Sequence, residues 1–462
     1  MSEANVPVMR LGDVAEVKAG FGFPEYLQGK ATGPYPFYKV GDISEAWKAR
    51  QVGLVAANHY VNDADLATLK ARPLPAGAIV FAKIGAAIGL NRRCVLTQPG
   101  LVDNNVFGVV PKAGVANTKY LFQFMCSVDL MPLARATTVP SLRKGDVEEL
   151  QLPMPSLARQ QQVSDYLDEQ LSRLDASVAA LHRVQANLKR YRASVLKSAC
   201  EGRLVPIEAE LARHEGRDFE AGAQLLQRIL VERRARLNGK GKYKEPVPAA
   251  ATEMQKLPLG WSWATLEQLT FLVTSGSRGW SAFYADAGTW FIRAQDIKTD
   301  ALNIHSVARV DVPAHAEGSR SSVGSSDILV TITGANVTKS ALVPVLPEPA
   351  FVSQHVALLK LTCQATAAFV FNWIVSPANG RKVLESWAYG AGKPGLSLEQ
   401  LRELRVALPP LAEQHRIVAE ADRRLSLIRV AEAQVAANLA RAKRLRQSIL
   451  QAAFAHPGSA GQ

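Results

Sequence analysis

Cysteine is scarce in this chain. Cys94, Cys126, Cys200 and Cys363 are the only four in 462 residues, and no two of them form a CxxC pair. That argues against a zinc site and a disulfide framework, and it suits a reducing cytoplasm. Long apolar runs are missing too. No stretch of about 18 uncharged apolar residues occurs, so no transmembrane helix and no membrane partner is expected. The opening MSEANVPVMRLGD has no basic region followed by an apolar one, so no secretory signal is read. Catalytic motifs are equally absent. There is no GxxxxGK[ST] loop for an ATPase motor, and Gly20-Phe-Gly22 and Thr333-Gly-Ala335 are too short to indicate nucleotide binding. No acidic cluster with a neighbouring lysine suggests a metal-dependent nuclease, and the eight histidines are dispersed. A self-contained enzyme is therefore disfavoured, with no catalytic and no metal-binding residue to name.

Positive charge and repetition are what the chain does have. Its 54 basic and 41 acidic residues give a net charge of +13, which favours a polyanionic partner, nucleic acid above all, over a merely basic solvated surface. An apolar fraction of 48% is enough to fill cores. Leu150–Ala199 can be laid without a gap on Leu404–Ala453, at an offset of 254 residues (404 less 150). Pro155 falls on Pro409, Gln160 on Gln414, Lys189 on Lys443 and Leu196 on Leu450. The preceding regions also match. Phe37-Tyr-Lys-Val-Gly-Asp-Ile43 corresponds to Phe291-Ile-Arg-Ala-Gln-Asp-Ile297, and Ala78–Gly85 to Asp327–Gly334. Leu101–Val106 corresponds to Phe351–Val356. Solenoid and propeller repeats have periods of roughly 20–50 residues. This unit is instead a duplicated domain plus a helix, and two equivalent halves suit a target with two separated parts.

The organisation follows. Residues 1–155 carry short β-rich runs punctuated by Pro and Gly, and predict an α+β globular domain. Residues 156–202 form a long amphipathic helix with a narrow seam of Leu167, Leu171, Leu174, Val178, Leu181, Val184, Leu188, Tyr191 and Val195, with Gly202 as its stop. Residues 203–257 read as one short helix, Glu220 to Leu237, and a flexible Gly/Pro-rich linker. A second domain spans 258–408, and a second long helix 409–456 with Ile417, Ala421, Leu425, Ile428, Val435, Leu439, Ala442, Leu445 and Ile449 in its seam. A disordered tail, 457–462, completes the chain. A narrow seam needs a partner, and each helix's partner is its duplicate, paired antiparallel. The expected fold is α+β: two homologous domains separated by two long antiparallel coiled-coil helices, related by a pseudo-two-fold internal repeat.

In their order and double occurrence, these features resemble the specificity (S) subunits of type I restriction–modification enzymes. The landmarks are Leu257-Pro-Leu-Gly-Trp-Ser-Trp263, Asp327-Ile-Leu329 with Gly334 and Gln354-His355, Leu408-Pro-Pro-Leu-Ala-Glu-Gln414, and Ser194-Val-Leu196 with Ser448-Ile-Leu450. Tyr243-Lys-Glu-Pro246 adds to them. The first half departs from the pattern, with Arg159-Gln160, Ala78-Ile-Val80 and Asp103-Asn-Asn105 at the matching places. Pro409-Pro410 lacks the preceding Asp or Asn and the following aromatic of an adenine methyltransferase motif, and suits a helix start.

The resemblance implies two target-recognition domains that each read half of a bipartite duplex site, with half-sites about one helical turn apart. It also implies two methyltransferase (M) subunits docked on the helices and two restriction (R) subunits. S-adenosylmethionine, ATP and Mg are then expected on those partners and none in this chain. A protein-binding coiled-coil scaffold is the alternative, as is a specificity subunit of a methyltransferase-only or fused system.

Side-chain chemistry nominates the readers, since Arg and Lys suit guanine while Asn and Gln suit adenine. In the first domain these are Lys83, Asn104 and Asn105, with Arg92 and Arg93 on phosphates. In the second they are Arg293, Thr333, Gln354 and His355, with Lys339 and Lys393 on phosphate or groove edge. Gly85 and Gly334 either admit close backbone approach to DNA or simply turn a strand end. The basic tracts Lys189–Arg192 and Arg441–Arg446 are either solvated faces or contacts to partners or DNA backbone.

Overall fold

The computed structural model describes residues 6–135, 139–238, 243–249, 256–276, 278–298, 300–312, 319–388 and 394–455. It divides into two units, residues 1–182 with 436–462, and residues 183–435. Each unit therefore holds one domain, the segment of long helix that adjoins it, and a segment of the other long helix.

In the first unit the centre is the strand Ile79–Ala82, buried at every residue, as expected of an uninterrupted apolar run. It pairs antiparallel with Val106–Pro111 on one side and Arg93–Leu96 on the other. Ala15–Ala19 and Gly53–Leu54 extend the sheet to five strands. A smaller sheet places Tyr35–Tyr38 between a parallel strand, Leu101–Val102, and an antiparallel one, Tyr60–Val61. The helix Thr118–Ser127 starts at Asn117, whose side-chain oxygen accepts from the Lys119 and Tyr120 N–H groups. Its rings Tyr120 and Phe124 meet Phe454 edge-on, at centroid distances of 5.1 and 5.6 Å.

The second unit repeats the centre of this topology, with four strands in the matching sheet and five in the other. Ile328–Thr331 lies between Val356–Leu361 and Ser340–Leu342, and Thr270–Ser275 extends the sheet. Thr289–Ile292 again has one parallel neighbour, Ala350–Val352, and one antiparallel neighbour, Ala308–Val310. Cys200, the residue that falls on Phe454 at the 254 offset, is buried against Asn372 of the helix Ala367–Val375. The parallel pair requires long crossovers, which is why short-range turn signals alone do not reveal it.

The long helices, Leu157–Cys200 and Leu411–Phe454, are 44 residues each. Within the first unit, Leu167 shares a core with Leu450 and Phe454, and Asp175 pairs with Arg446. Within the second unit, Val195 packs with Ala421 and Ile428, and Arg192 pairs with Glu432 at 3.1 Å. In both, one number rises as the other falls, so the paired segments run antiparallel. The seam differs from the expected one at Leu445, which is 47% exposed, and at Val184 and Tyr191, also exposed. The buried line on the second helix is Ile417, Ala421, Ile428, Val435 and Ala442, joined by half-buried Leu425 and Leu439. The position four after Ala442 is Arg446, so Leu445 falls one residue short of the seam.

Among its described residues the connector holds two helices, Glu208–Glu215 and Gly222–Leu237, where the sequence pattern suggests one. The first has only eight residues, too few for periodicity to register, and ends on Gly216 in the left-handed region. Buried Glu208 pairs with Arg217 and Arg416, each at 2.6 Å. Its N–H donates to Glu413 Oε2 and Trp261 Nε1–H donates to Glu413 Oε1, both at 2.9 Å. This accounts for Glu413 in the copy where the first repeat has Arg159: the carboxylate answers donors that only this half supplies. Gly202 ends the first long helix at φ +68°, and a Cβ there would meet the Pro258 ring at 2.7 Å. Part of the expected flexible linker is fastened down. Val247 N–H donates to Glu267 and its carbonyl accepts from Thr265 Oγ1. Residues 239–242, 250–255 and the tail 457–462 lie outside the described residues.

Candidate nucleic-acid interface

Both domains carry the same backbone frame where the sheets end. Gly85 and Gly334 adopt φ of +79° and +92°. Each donates its N–H to a proline carbonyl, Pro140 and Pro394, and each accepts from the residue three further on. No atom lies within 4 Å of a Cβ built at either glycine. Their glycine is thus required by the left-handed turn and leaves open space outside it. Beside them runs a second turn, Asp103–Val106 or Ser353–Val356, closed by the N–H of Val106 or Val356 on the carbonyl three residues back. The Lys83 N–H donates to Asn105 O, and the Ile332 N–H to His355 O, at 2.9 Å in both. A third turn adjoins. The Lys39 N–H donates to Asp42 and the Arg293 N–H to Asp296, at 2.6 and 2.9 Å.

On this frame the side chains diverge. In the second domain Arg293, Gln354 and His355 line one recess of about 290 Å³ with Trp280, Phe291 and Gln295. Trp280 stacks on Phe291 at 5.7 Å. Gln354 Nε2 and His355 Nε2 lie 3.2 Å apart. Arg293 Nε and Nη2 donate to Asp296 at 3.0 Å each, and Nη2 also reaches the Ser306 carbonyl. Hydrogen bonding to Asp296 holds that guanidinium above its usual value. Thr333 is half-buried and bridges to Gly395, and Lys339 is half-buried. Lys393 lies outside the described residues.

In the first domain Asn104 is exposed, while Asn105 donates its N–H and Nδ2 to the Asp103 carboxylate. Burial raises the Asp103 carboxyl, and those two bonds oppose the rise. Lys83 is half-buried, its Nζ 5.1 Å from the centre of the Phe107 ring. Arg92 is half-exposed. Arg93 corrects the sequence reading. It is 1% exposed, and its guanidinium donates to the carbonyls of Asn91 and Val128 and to Asn91 Oδ1, so it closes the end of a helix and is withheld from phosphate. Burial pushes its guanidinium down. A strand residue beside a helix terminus and a surface arginine look alike in sequence.

Sequence reasoning did not nominate Lys39, Gln295 or Trp280, which stand in the third turn or line the recess. The 254 offset that sets Phe37–Ile43 on Phe291–Ile297 already placed Lys39 on Arg293, and so held the signal for the first. Among the described residues no three His, Cys, Asp or Glu side chains are placed to hold a metal ion. No described helix is long and apolar enough to cross a membrane.

Comparison with known proteins completes the picture. A family model for the type I restriction modification DNA specificity domain matches residues 3–186 and 322–423. The type I restriction enzyme EcoBI specificity subunit of Escherichia coli is 24% identical over 458 residues, covering 96% of this chain and 84% of its own. The EcoDI specificity subunit of the same species is 25% identical over 342 residues, covering 69% of this chain and 65% of its own. A chain solved in a study of the "structural basis underlying complex assembly and conformational transition of the type I R-M system" aligns over 97% of both chains. Its TM-score is 0.60 at 16% identity, a likeness of fold.

Proposed function

The chain belongs to the type I restriction–modification DNA specificity family, and we propose that each of its domains reads one half of a bipartite double-stranded DNA target. It is the non-catalytic specificity subunit, and the catalytic activities lie on partner subunits. The reading includes two methyltransferase subunits docked on the long helices and two restriction subunits in the full complex. S-adenosylmethionine, ATP and Mg reside on those partners, and the assembly works in the cytoplasm. The paired helices set the spacing between half-sites.

One observation carries this reading. Two turns keep the same backbone hydrogen bonds in both domains and a third keeps the same N–H bond to an aspartate, while side chains on this frame change: Lys39 for Arg293, Gly41 for Gln295, Asn104-Asn105 for Gln354-His355. A fixed frame with exchanged polar groups is what two readers of different sequences need, because base edges are distinguished by donor and acceptor pattern. Asn104-Asn105 and Gln354-His355 are the proposed base readers, with Arg92 and Lys339 on phosphate.

The test is methylome sequencing of cells expressing the chain with its methyltransferase subunit. The expected result is one bipartite motif with a fixed spacer. Replacing residues 258–408 with the matching domain of a relative then changes one half of that motif. A contiguous motif, a change in both halves, or no sequence-specific methylation would overturn the reading. The last outcome would leave a protein-binding scaffold.

A further inference from the structure

Lys39 and Arg293 stand at the same place in the duplicated frame, yet their charges meet different fates. Each has its own turn carboxylate three residues on. Asp296 gives both oxygens to the Arg293 guanidinium. Asp42 gives one oxygen to the Lys39 N–H and the other to Asn58, whose Nδ2 donates at 2.8 Å. The Lys39 ammonium is left with a neutral partner, Gln28 Oε1, at 2.6 Å, and lies 5.4 Å from the centre of the Phe23 ring. Asp103 feels the Lys39 charge, but its two oxygens already accept from Asn105. Phe23 is itself stacked on Phe37 at 3.7 Å, which gives the ammonium a rigid support. Two residues along, Gly41 leaves open space where the second domain places the exposed Gln295.

We propose that Lys39 is a specificity-determining residue that reads a guanine in the major groove of the first domain's half-site, whereas Arg293 serves its own turn. This rests on the reading that each domain recognises one half-site. Guanine presents two adjacent acceptors, O6 and N7, and an ammonium with three donors matches them. A part-buried bond to a neutral amide is more readily exchanged for such acceptors than a charge-assisted pair. A guanidinium held by both oxygens of a carboxylate exchanges less readily, since charge-assisted bidentate pairs are the stronger kind.

The experiment uses the full chain with its methyltransferase subunit, read by methylome sequencing and by duplex binding. Lys39→Ala should relax one guanine in one half-site, with discrimination at that position falling by about 5- to 150-fold. The other half-site should be unchanged. Lys39→Arg should keep the guanine, and Arg293→Ala should relax no position. If Lys39→Ala does not fold, Lys39→Gln retains length and a donor, and should turn the preference from guanine toward adenine. Uniformly weaker binding with every letter retained would mean a phosphate contact and would overturn the proposal. So would relaxation at a letter other than guanine, or an unchanged guanine in Lys39→Gln. If the unmodified complex yields no bipartite motif, the underlying reading fails, and that outcome is distinct from an intact motif indifferent to Lys39.

Discussion

The neighbouring arginines Arg92 and Arg93, at the start of the strand Arg93–Leu96, should separate folding from binding. Arg93→Met removes a buried guanidinium that donates to Asn91 O at 2.8 Å, Asn91 Oδ1 at 3.2 Å and Val128 O at 2.8 Å. Two backbone carbonyls then lose their donor, at about 1–3 kcal/mol each when buried. Burying the guanidinium carries a desolvation penalty that the variant no longer incurs, and the methionine fills much of the space. The expected net loss is about 2–4 kcal/mol in the first unit, read as a lower urea midpoint. Arg92→Met, on a half-exposed side chain, should change stability by no more than about 0.5 kcal/mol. Salt dependence should show the reverse. One phosphate contact contributes about 0.9 to the slope of log K against log salt, or about 3.5-fold in affinity between 50 and 200 mM. Arg92→Met should lower that slope by about 0.9, and Arg93→Met should leave it alone. A stable Arg93→Met complex with a reduced slope would refute the argument, because it would place the guanidinium on DNA.

Three further outcomes are expected. Leu450→Ala, buried beside the first domain's helix, should cost about 2–4 kcal/mol, while Leu445→Ala should fall within about 0.5 kcal/mol of the parent in urea denaturation. Burial would raise the Glu208 carboxyl, but hydrogen bonds from Arg217 and Arg416 outweigh it and hold the group below its usual value. Its contribution is therefore complete above the ordinary carboxylate range and disappears as pH falls through the lowered value, so Glu208→Gln should flatten the acid limb of second-unit stability measured against pH. Inserting four residues near Ala180 (about one helical turn, or 6 Å) should alter the preferred spacer in methylome data. An unchanged spacer would remove the helices from the measurement of half-site distance.

How far the sequence discloses the fold follows from what each signal measures. The long helices were legible because a seam repeated at three- and four-residue steps identifies a helix and its partner together. The seam's edges were less so. Apolar spacing marks Leu445 as readily as Ala442, and only the packing shows that the partner-facing place belongs to Arg446. The helix Glu208–Glu215 was hidden for a different reason. Its stability comes from Glu208 bonding Arg217 and Arg416, one of them 208 residues away in the chain, and no local pattern records a contact of that kind.

The reading residues are harder still, because the proposed reader depends on a competition for one carboxylate. Lys39-Val-Gly-Asp42 and Arg293-Ala-Gln-Asp296 share the aspartate and the N–H bond to it, although the first opens the helix Val40–Lys48 and the second a single 3-10 turn. In one, Asn58 reaches the aspartate before the lysine does. In the other, the arginine closes on it and nothing intervenes. Residue type nominated Arg293 as a reader and passed over Lys39, whereas the reader proposed from the hydrogen bonds is Lys39. A duplicated reader can thus change its half-site without altering the position that faces the groove. It is enough to change which neighbour holds the carboxylate behind it, and Asn58→Ala, which removes the Nδ2 donor from Asp42 and leaves only the longer bond from the residue-58 N–H, should let the Lys39 ammonium compete for that oxygen and weaken the first half-site alone. Loss of preference at the second domain's half-site, or no loss at the first domain's, would show that the carboxylate does not govern the reader.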